Sequence, residues 1–107
     1  MKWEDRRRSP RYPVDAPVRV MSAETTMMAR VKDLCRDAVL IESATLCRLD
    51  AEVALALELG GAVDPLELMG RVIRLAGTEG QAGAMAVLFS HVSDDATRRI
   101  DAFLDKR

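Results

Sequence analysis

Aromatic side chains are scarce in this sequence, making up 4% of its 107 residues. The hydrophobic core must therefore be built from Leu, Val, Ile, Ala and Met. No apolar run approaches the roughly 18–20 residues that a membrane-spanning helix requires, and the first residues lack the apolar stretch of a secretory signal. We therefore expect a cytoplasmic protein with no membrane span.

Cysteine and histidine are also few. Cys35 and Cys47 are separated by eleven residues, and His91 is the single histidine. These residues do not match the ligand spacing of a zinc site, so we expect two reduced thiols and no bound metal or cofactor. A lone histidine, with no nucleophile pattern and no glycine-rich phosphate loop, gives no support for catalysis. The sequence predicts that the protein is not an enzyme.

Positive charge is concentrated near the N-terminus although the whole chain has a net charge of -1. Four arginines lie within six positions, namely Arg6, Arg7, Arg8 and Arg11. A run of charge is usually a solvated arm, but arginine also binds phosphate through two parallel hydrogen bonds and can bond the edge of guanine. Both interpretations, a flexible basic arm and a ligand clamp, remain open at this point.

Apolar residues recur at strand spacing along most of the chain. We predict six short strands, at residues 16–23, 26–34, 38–43, 51–59, 65–77 and 82–91. The segment 51–59 is ambiguous, because its Ala, Leu and Glu residues are strong helix formers. Its period of two and the glycine-containing turn after it favour a strand.

The last fifteen residues, 93–107, have the pattern of an amphipathic helix. Ser93 is suited to cap its first turn, and acidic residues there complement the positive end of the helix dipole, as Lys106 and Arg107 complement the other end. The buried stripe is predicted to comprise Ala96, Ile100, Phe103 and Leu104. Together these elements indicate an all-β protein, a six-stranded antiparallel barrel closed by a C-terminal α-helix. We expect one domain at residues 13–107 after a flexible basic arm at 1–12.

The order of motifs resembles that of the PilZ domain family. "RRRSPR" precedes the first strand and is followed by "KDLCRDAVLIES", "GRVIRL", "AVLF" and a terminal helix. The family has an R-x-x-x-R motif before its first strand, matched here by Arg7 and Arg11 with Arg6 before them. Its second motif, D/N-x-S-x-x-G, corresponds to "DLCRDA" at residues 33–38. The resemblance implies a six-stranded barrel that binds the bacterial second messenger cyclic di-GMP.

The resemblance also implies a role for each matching residue. Arg7 and Arg11 would bind the phosphates and guanines, and Asp33 would accept hydrogen bonds from guanine N–H groups. Cys35 stands where the family has Ser, and it is a weaker donor. Ala38 stands where the family has Gly, which allows a backbone to come close or to adopt positive φ. Each lost hydrogen bond costs on the order of 0.5–3 kcal/mol.

Three functions follow from these observations. The first is a stand-alone effector that binds cyclic di-GMP and regulates motility or exopolysaccharide and biofilm functions through a protein partner. The second is a degenerate PilZ-like adaptor that does not bind the ligand and acts by protein contact alone. The third, nucleic-acid binding by the arginine arm, is opposed by the acidic remainder of the chain and by its few aromatic residues.

Overall fold

A computed structural model of the protein describes residues 12–59 and 64–105. Within these ranges the chain forms six β-strands and a C-terminal α-helix: β1 (Tyr12–Met21), β2 (Thr26–Leu34), β3 (Ala38–Ser43), β4 (Glu52–Leu57), β5 (Leu66–Ala76), β6 (Gly83–His91) and α1 (Asp94–Asp105). The strands close into a barrel in the order β1-β2-β3-β6-β5-β4, and all neighbouring strands are antiparallel. The predicted fold class is confirmed, and the ambiguous segment 51–59 contains a strand.

β1 begins four residues before the predicted strand, which started at Ala16. Pro13 and Pro17 obscured this beginning, because proline lacks the N–H that a central strand normally needs. Glu58 N donates to the carbonyl oxygen of Pro17 at 3.1 Å, just beyond the paired part of β4. The N–H and carbonyl of one strand residue point to the same side, so the missing donor of Pro17 faces the end of β4 and costs no hydrogen bond to β2.

Strand β2 does not alternate regularly between inward and outward side chains along its whole length. Met27 is half-buried against the core and Met28 is 56% exposed, as alternation requires, but the pattern changes near the end of the strand. The β2–β3 register shifts between Val31 and Asp33. This bulge allows Val31 and Leu34 to face the interior although they are three residues apart.

Helix α1 closes the end of the barrel at which β1 and β3 begin and β2 and β6 end. Ser93 caps it, as predicted, because Ala96 N donates to Ser93 Oγ at 3.1 Å. Ile100 is fully buried in the core, and the helix is fastened further where Arg99 Nη2 donates to Asp64 O at 2.6 Å. Ala96 and Leu104 are also buried and Phe103 is partly buried, so the predicted apolar stripe is confirmed. The predicted cationic residues Lys106 and Arg107 lie outside the described residues.

The opposite end of the barrel is closed by residues 44–51, which we call the Leu46 loop. The Leu46 side chain is 2% exposed and belongs to the core. Leu46 N donates to Gln81 O at 2.9 Å, and Gly80 N donates to Leu46 O at 2.9 Å, so the loop is bonded to the β5–β6 hairpin by its backbone. The two ends of the barrel are therefore closed in different ways, one by helix α1 and the other by a loop that inserts the Leu46 side chain into the core.

Candidate ligand-binding site

The second sequence motif forms the tight connection between β2 and β3. We call residues 33–38 the site hairpin. Its turn is closed where Cys35 N donates to Ala38 O at 3.0 Å, and Leu34 is paired with Val39 just before the turn. The connection is therefore a short hairpin in which Arg36 and Asp37 occupy the tip. Asp33, Cys35 and Ala38, which the sequence analysis placed in one site, are brought together at this end of the barrel.

Two neighbouring elements hold the tip of the site hairpin. Phe89 N, on β6, donates to Asp37 O at 2.8 Å. From the other side, Arg36 Nε lies 3.0 Å from Asp101 Oδ1 on α1, in an ion pair whose side chains are 53% and 42% exposed. The backbone of the tip is thus fixed to β6, and its arginine side chain is held by the helix.

The beginning of β1 lies beside the site hairpin. Tyr12 is paired with Leu34, and Pro13 is paired with Asp33. On its other side Asp33 is paired with Leu40 of β3, and its side chain is half-buried. The first motif ends at Arg11, one residue before Tyr12 in the sequence. Arg6, Arg7 and Arg11 themselves lie outside the described residues, as does most of the predicted arm at 1–12.

The two residues that depart from the family motif are both buried. Cys35 is 6% exposed and Ala38 is fully buried. Within residues 12–59 and 64–105, Asp50 is the one non-glycine residue with positive φ, so Ala38 has ordinary strand geometry. The conformation of this hairpin therefore does not require glycine at position 38.

A second ion pair lies near this end of the barrel, between β1 and β2. Arg30 Nε donates to Asp15 Oδ1 at 2.7 Å. This hydrogen bond lowers the pKa of Asp15 from its ordinary value and raises the pKa of Arg30. Each charge already has a partner of opposite sign.

Cys47 lies in the Leu46 loop, at the other end of the barrel, and burial raises the pKa of its thiol.

Other features of the described chain point to no further chemistry. Residues 12–59 and 64–105 contain no group of three metal-ligating side chains and no helix able to cross a membrane. A cavity of about 380 Å³ is lined by residues including Met69 and His91, and an open depression of about 630 Å³ is lined by residues including Met28 and Glu42. Neither cavity is lined by the site hairpin.

The contact between Arg36 and Asp101 is a feature that sequence reasoning missed. Arg36 occupies one of the unspecified positions of the second motif, and Asp101 lies 65 residues further along the chain. The only signal in the sequence was a basic residue within the second motif. Its partner on the helix depends on how α1 lies across the barrel end, which no local pattern specifies.

Comparison with known proteins places this geometry in context. The family model described as PilZ domain matches residues 5–106. No curated protein matches the chain. Among solved structures, the fold is similar to the PilZ domain of YcgR from Escherichia coli with c-di-GMP, with a TM-score of 0.76, 15% identity, and coverage of 94% of this chain and 90% of that one.

Two further structures show the same fold. The PilZ domain of CeSA from a cellulose-synthesising bacterium has a TM-score of 0.70 and 20% identity, with coverage of 92% of this chain and 98% of that one. The inhibitor of motility MotI (DgrA) of Bacillus subtilis has a TM-score of 0.77 and 11% identity, with coverage of 94% of this chain. This chain spans 50% of the length of MotI.

The family match extends over nearly the whole chain, and the closed barrel and the terminal helix agree with it. The chain belongs to the PilZ domain family, whose members are ligand-binding effector domains related to cyclic di-GMP signalling.

Proposed function

We propose that this protein is an effector that binds cyclic di-GMP between its basic arm and the site hairpin. The observation that carries the proposal is the pairing of Tyr12 with Leu34, because it joins the chain that bears Arg7 and Arg11 to the hairpin that bears Asp33. A ligand that contacts both motifs needs this proximity. The third predicted function, nucleic-acid binding, gains no support from the described residues.

The ligand's chemistry suits the residue types. Cyclic di-GMP presents two phosphates and two guanines, and arginine can bind a phosphate, stack on a base or bond guanine O6 and N7. Arg7 and Arg11, with Arg6 before them, supply these groups in the proposal. Asp33 accepts hydrogen bonds from the N–H groups of a guanine edge, because a carboxylate is an acceptor only.

The downstream action is proposed by likeness to the relatives. YcgR was solved with c-di-GMP, and MotI is described as an inhibitor of motility. We propose that ligand binding orders the arm at residues 1–12 against the domain at 13–107 and so creates a surface for a protein partner. That partner belongs to the motility or exopolysaccharide and biofilm machinery, and the protein acts in the cytoplasm.

Calorimetric titration with cyclic di-GMP, with GTP as the control nucleotide, tests the proposal. We expect binding in the micromolar range or tighter, which Arg7→Ala or Arg11→Ala abolishes. Arg19→Ala is the matched control, because Arg19 is an exposed arginine on β1 outside both motifs. No heat from the wild-type protein at high ligand concentration would contradict the proposal, as would loss of binding in the control alone.

A second candidate is an adaptor that keeps the fold and does not bind the ligand. The burial of Cys35 and Ala38 favours it, because two of the three specified hairpin positions then offer little surface to a ligand. The same titration separates the two functions. Should Cys35→Ser with Ala38→Gly fail to strengthen any binding measured for the wild-type protein, residues 33–38 would not act as the family motif does.

A further inference from the structure

The tip of the site hairpin carries an arginine that the family motif does not specify. Within residues 33–38 Arg36 is the only cation, beside the carboxylates of Asp33 and Asp37. Its side chain is about half exposed, and its Nε lies 3.0 Å from Asp101 Oδ1 on α1. We infer that Arg36 is an additional phosphate-binding residue of the proposed cyclic di-GMP site, and that Asp101 holds it while no ligand is bound. This inference rests on the proposed function.

Arg36 is close enough to Asp33 for one ligand to contact both. Arg36 lies three positions after Asp33 in the sequence, and even a fully extended segment of that length spans only about 11 Å. Both residues therefore lie at the same end of the barrel, Asp33 near the end of β2 and Arg36 in the turn that the Cys35–Ala38 hydrogen bond closes. A cyclic dinucleotide has guanine edges and phosphates several ångströms apart, so it can engage a carboxylate and a guanidinium of the same hairpin.

The hairpin backbone is held independently of the ion pair. Phe89 N donates to Asp37 O at 2.8 Å, and the Cys35–Ala38 hydrogen bond closes the turn. The Arg36 side chain can therefore turn away from Asp101 without disrupting the turn. Movement of this side chain alone is sufficient to present its guanidinium to a ligand.

We expect the change of the Arg36 partner from the Asp101 carboxylate to a ligand phosphate to be energetically favourable. An ion pair between exposed side chains contributes little, because water and salt screen it. Arg36 contacts Asp101 through Nε, whereas a phosphate can accept two parallel hydrogen bonds from a guanidinium. When Arg36 binds the phosphate, it also adds a charged hydrogen-bond donor to the hairpin. The position at which the family motif specifies a Ser donor holds Cys35, which is a weak donor.

Titration of four variants with cyclic di-GMP tests the inference. We expect Arg36→Gln to weaken binding by about tenfold or more, as the loss of a hydrogen bond to a charged group does. Arg36→Lys keeps the charge without the planar fork, and should lie between Arg36→Gln and the wild type. Asp101→Asn should strengthen binding by roughly twofold to fivefold, because it removes the competing carboxylate.

The fourth variant, Arg98→Gln, is the matched control. Arg98 lies on the same helix and pairs with Asp95 at 3.5 Å, with both side chains more than 70% exposed. Binding by this variant should stay within twofold of the wild type. Thermal unfolding of each variant without ligand checks that the barrel is intact.

Three results would overturn the inference. Affinity of Arg36→Gln within twofold of the wild type would show that the guanidinium does not contact the ligand. Equal weakening by Arg36→Gln and Asp101→Asn would show that the pair only braces the hairpin. Absence of binding by the wild-type protein would refute the proposed function, and this inference with it, whereas the first two results leave the proposed function standing.

Discussion

The two ends of the barrel are built on different physical principles. At one end the Leu46 loop is wedged into the core and bonded by its backbone to the β5–β6 hairpin. There Gly83 is packed so closely that a Cβ atom would lie 2.5 Å from Ala76 O and 2.9 Å from Leu46 Cδ1. At the other end the site hairpin has no glycine, and its tip is held by one backbone hydrogen bond and one exposed ion pair.

Because of this difference, we expect the two ends of the barrel to have different roles. Tight packing around Leu46 makes that end rigid, because a close-packed interior tolerates little change of volume. At the site hairpin, by contrast, the exposed ion pair of Arg36 with Asp101 is an interaction that a charged ligand can replace at small cost. We infer that the Leu46 end stabilises the barrel and the hairpin end carries the binding.

The largest effect expected from this comparison is at Leu46. Leu46→Ala leaves a cavity at a position that is 2% exposed, and we expect it to lower the free energy of unfolding by about 3 kcal/mol. Urea unfolding followed by circular dichroism measures the change. Leu49→Ala is the matched control in the same loop, because Leu49 is 47% exposed and its truncation should cost less than about 0.5 kcal/mol. Equal effects of the two variants on the free energy of unfolding would show that the buried Leu46 side chain stabilises the barrel no more than the exposed Leu49 side chain does.

Much of this architecture could be predicted from the sequence. Strand-like apolar patterns and turn signals located all six strands, although β1 begins four residues before its predicted start, and Ser93 with the apolar spacing behind it located the helix. The Leu46 loop could not be predicted, because the apolar residues at 44–51 have no periodicity that distinguishes the buried Leu46 from the exposed Leu49. The bulge of β2 between Val31 and Asp33 could not be predicted either, because no local signal marks the residue at which a strand changes the faces of its side chains.

The candidate site was predicted in part. The strand register places Asp33, Cys35 and Ala38 in one hairpin beside the start of β1, and their role in ligand binding stays a prediction. The sequence could not show that Cys35 and Ala38 are buried, nor that Arg36 meets Asp101. Both depend on how β6 and α1 pack against the hairpin, and these contacts join residues far apart in the chain.

An intermediate effect is expected at Ala38, where the family has glycine. Ala38 is fully buried in strand geometry, so Ala38→Gly removes a packed methyl group and adds backbone freedom to the unfolded chain. We expect a loss of about 1.5 kcal/mol in the free energy of unfolding, measured by urea unfolding.

The opposite substitution, from glycine to alanine, in the β5–β6 hairpin provides a comparison for the effect of Ala38→Gly. Gly80 has φ of 82°, and no atom lies within 4 Å of the position that a Cβ atom would occupy there. Gly80→Ala therefore tests backbone strain without a steric clash, and it should cost about 1 kcal/mol. A stabilising Ala38→Gly substitution would mean that the site hairpin is strained at that residue, and the contrast between the two hairpins would then fail.

The smallest effect concerns the charges near the hairpin end. The hydrogen bond from Arg30 holds the pKa of the Asp15 carboxyl below its ordinary value of 3.8. Because the folded-state pKa is the lower one, the ion pair's contribution to stability is present above the unfolded-state pKa and is lost as pH falls through the folded-state pKa. NMR titration of the Asp15 carboxyl should therefore give a midpoint below 3.8.

Arg30→Gln should return that midpoint towards 3.8, and added salt should move it in the same direction, because both weaken the attraction between the two charges. Arg98→Gln, which changes an exposed arginine on α1, should leave it unchanged. Leu46→Ala should also leave the midpoint unchanged in the folded protein. Leu46 stabilises the barrel by packing, whereas the midpoint of Asp15 depends on its electrostatic interaction with Arg30. A midpoint at or above 3.8 in the wild-type protein would show that the pair does not form in solution, and this part of the barrel would then depend on packing as the opposite end does.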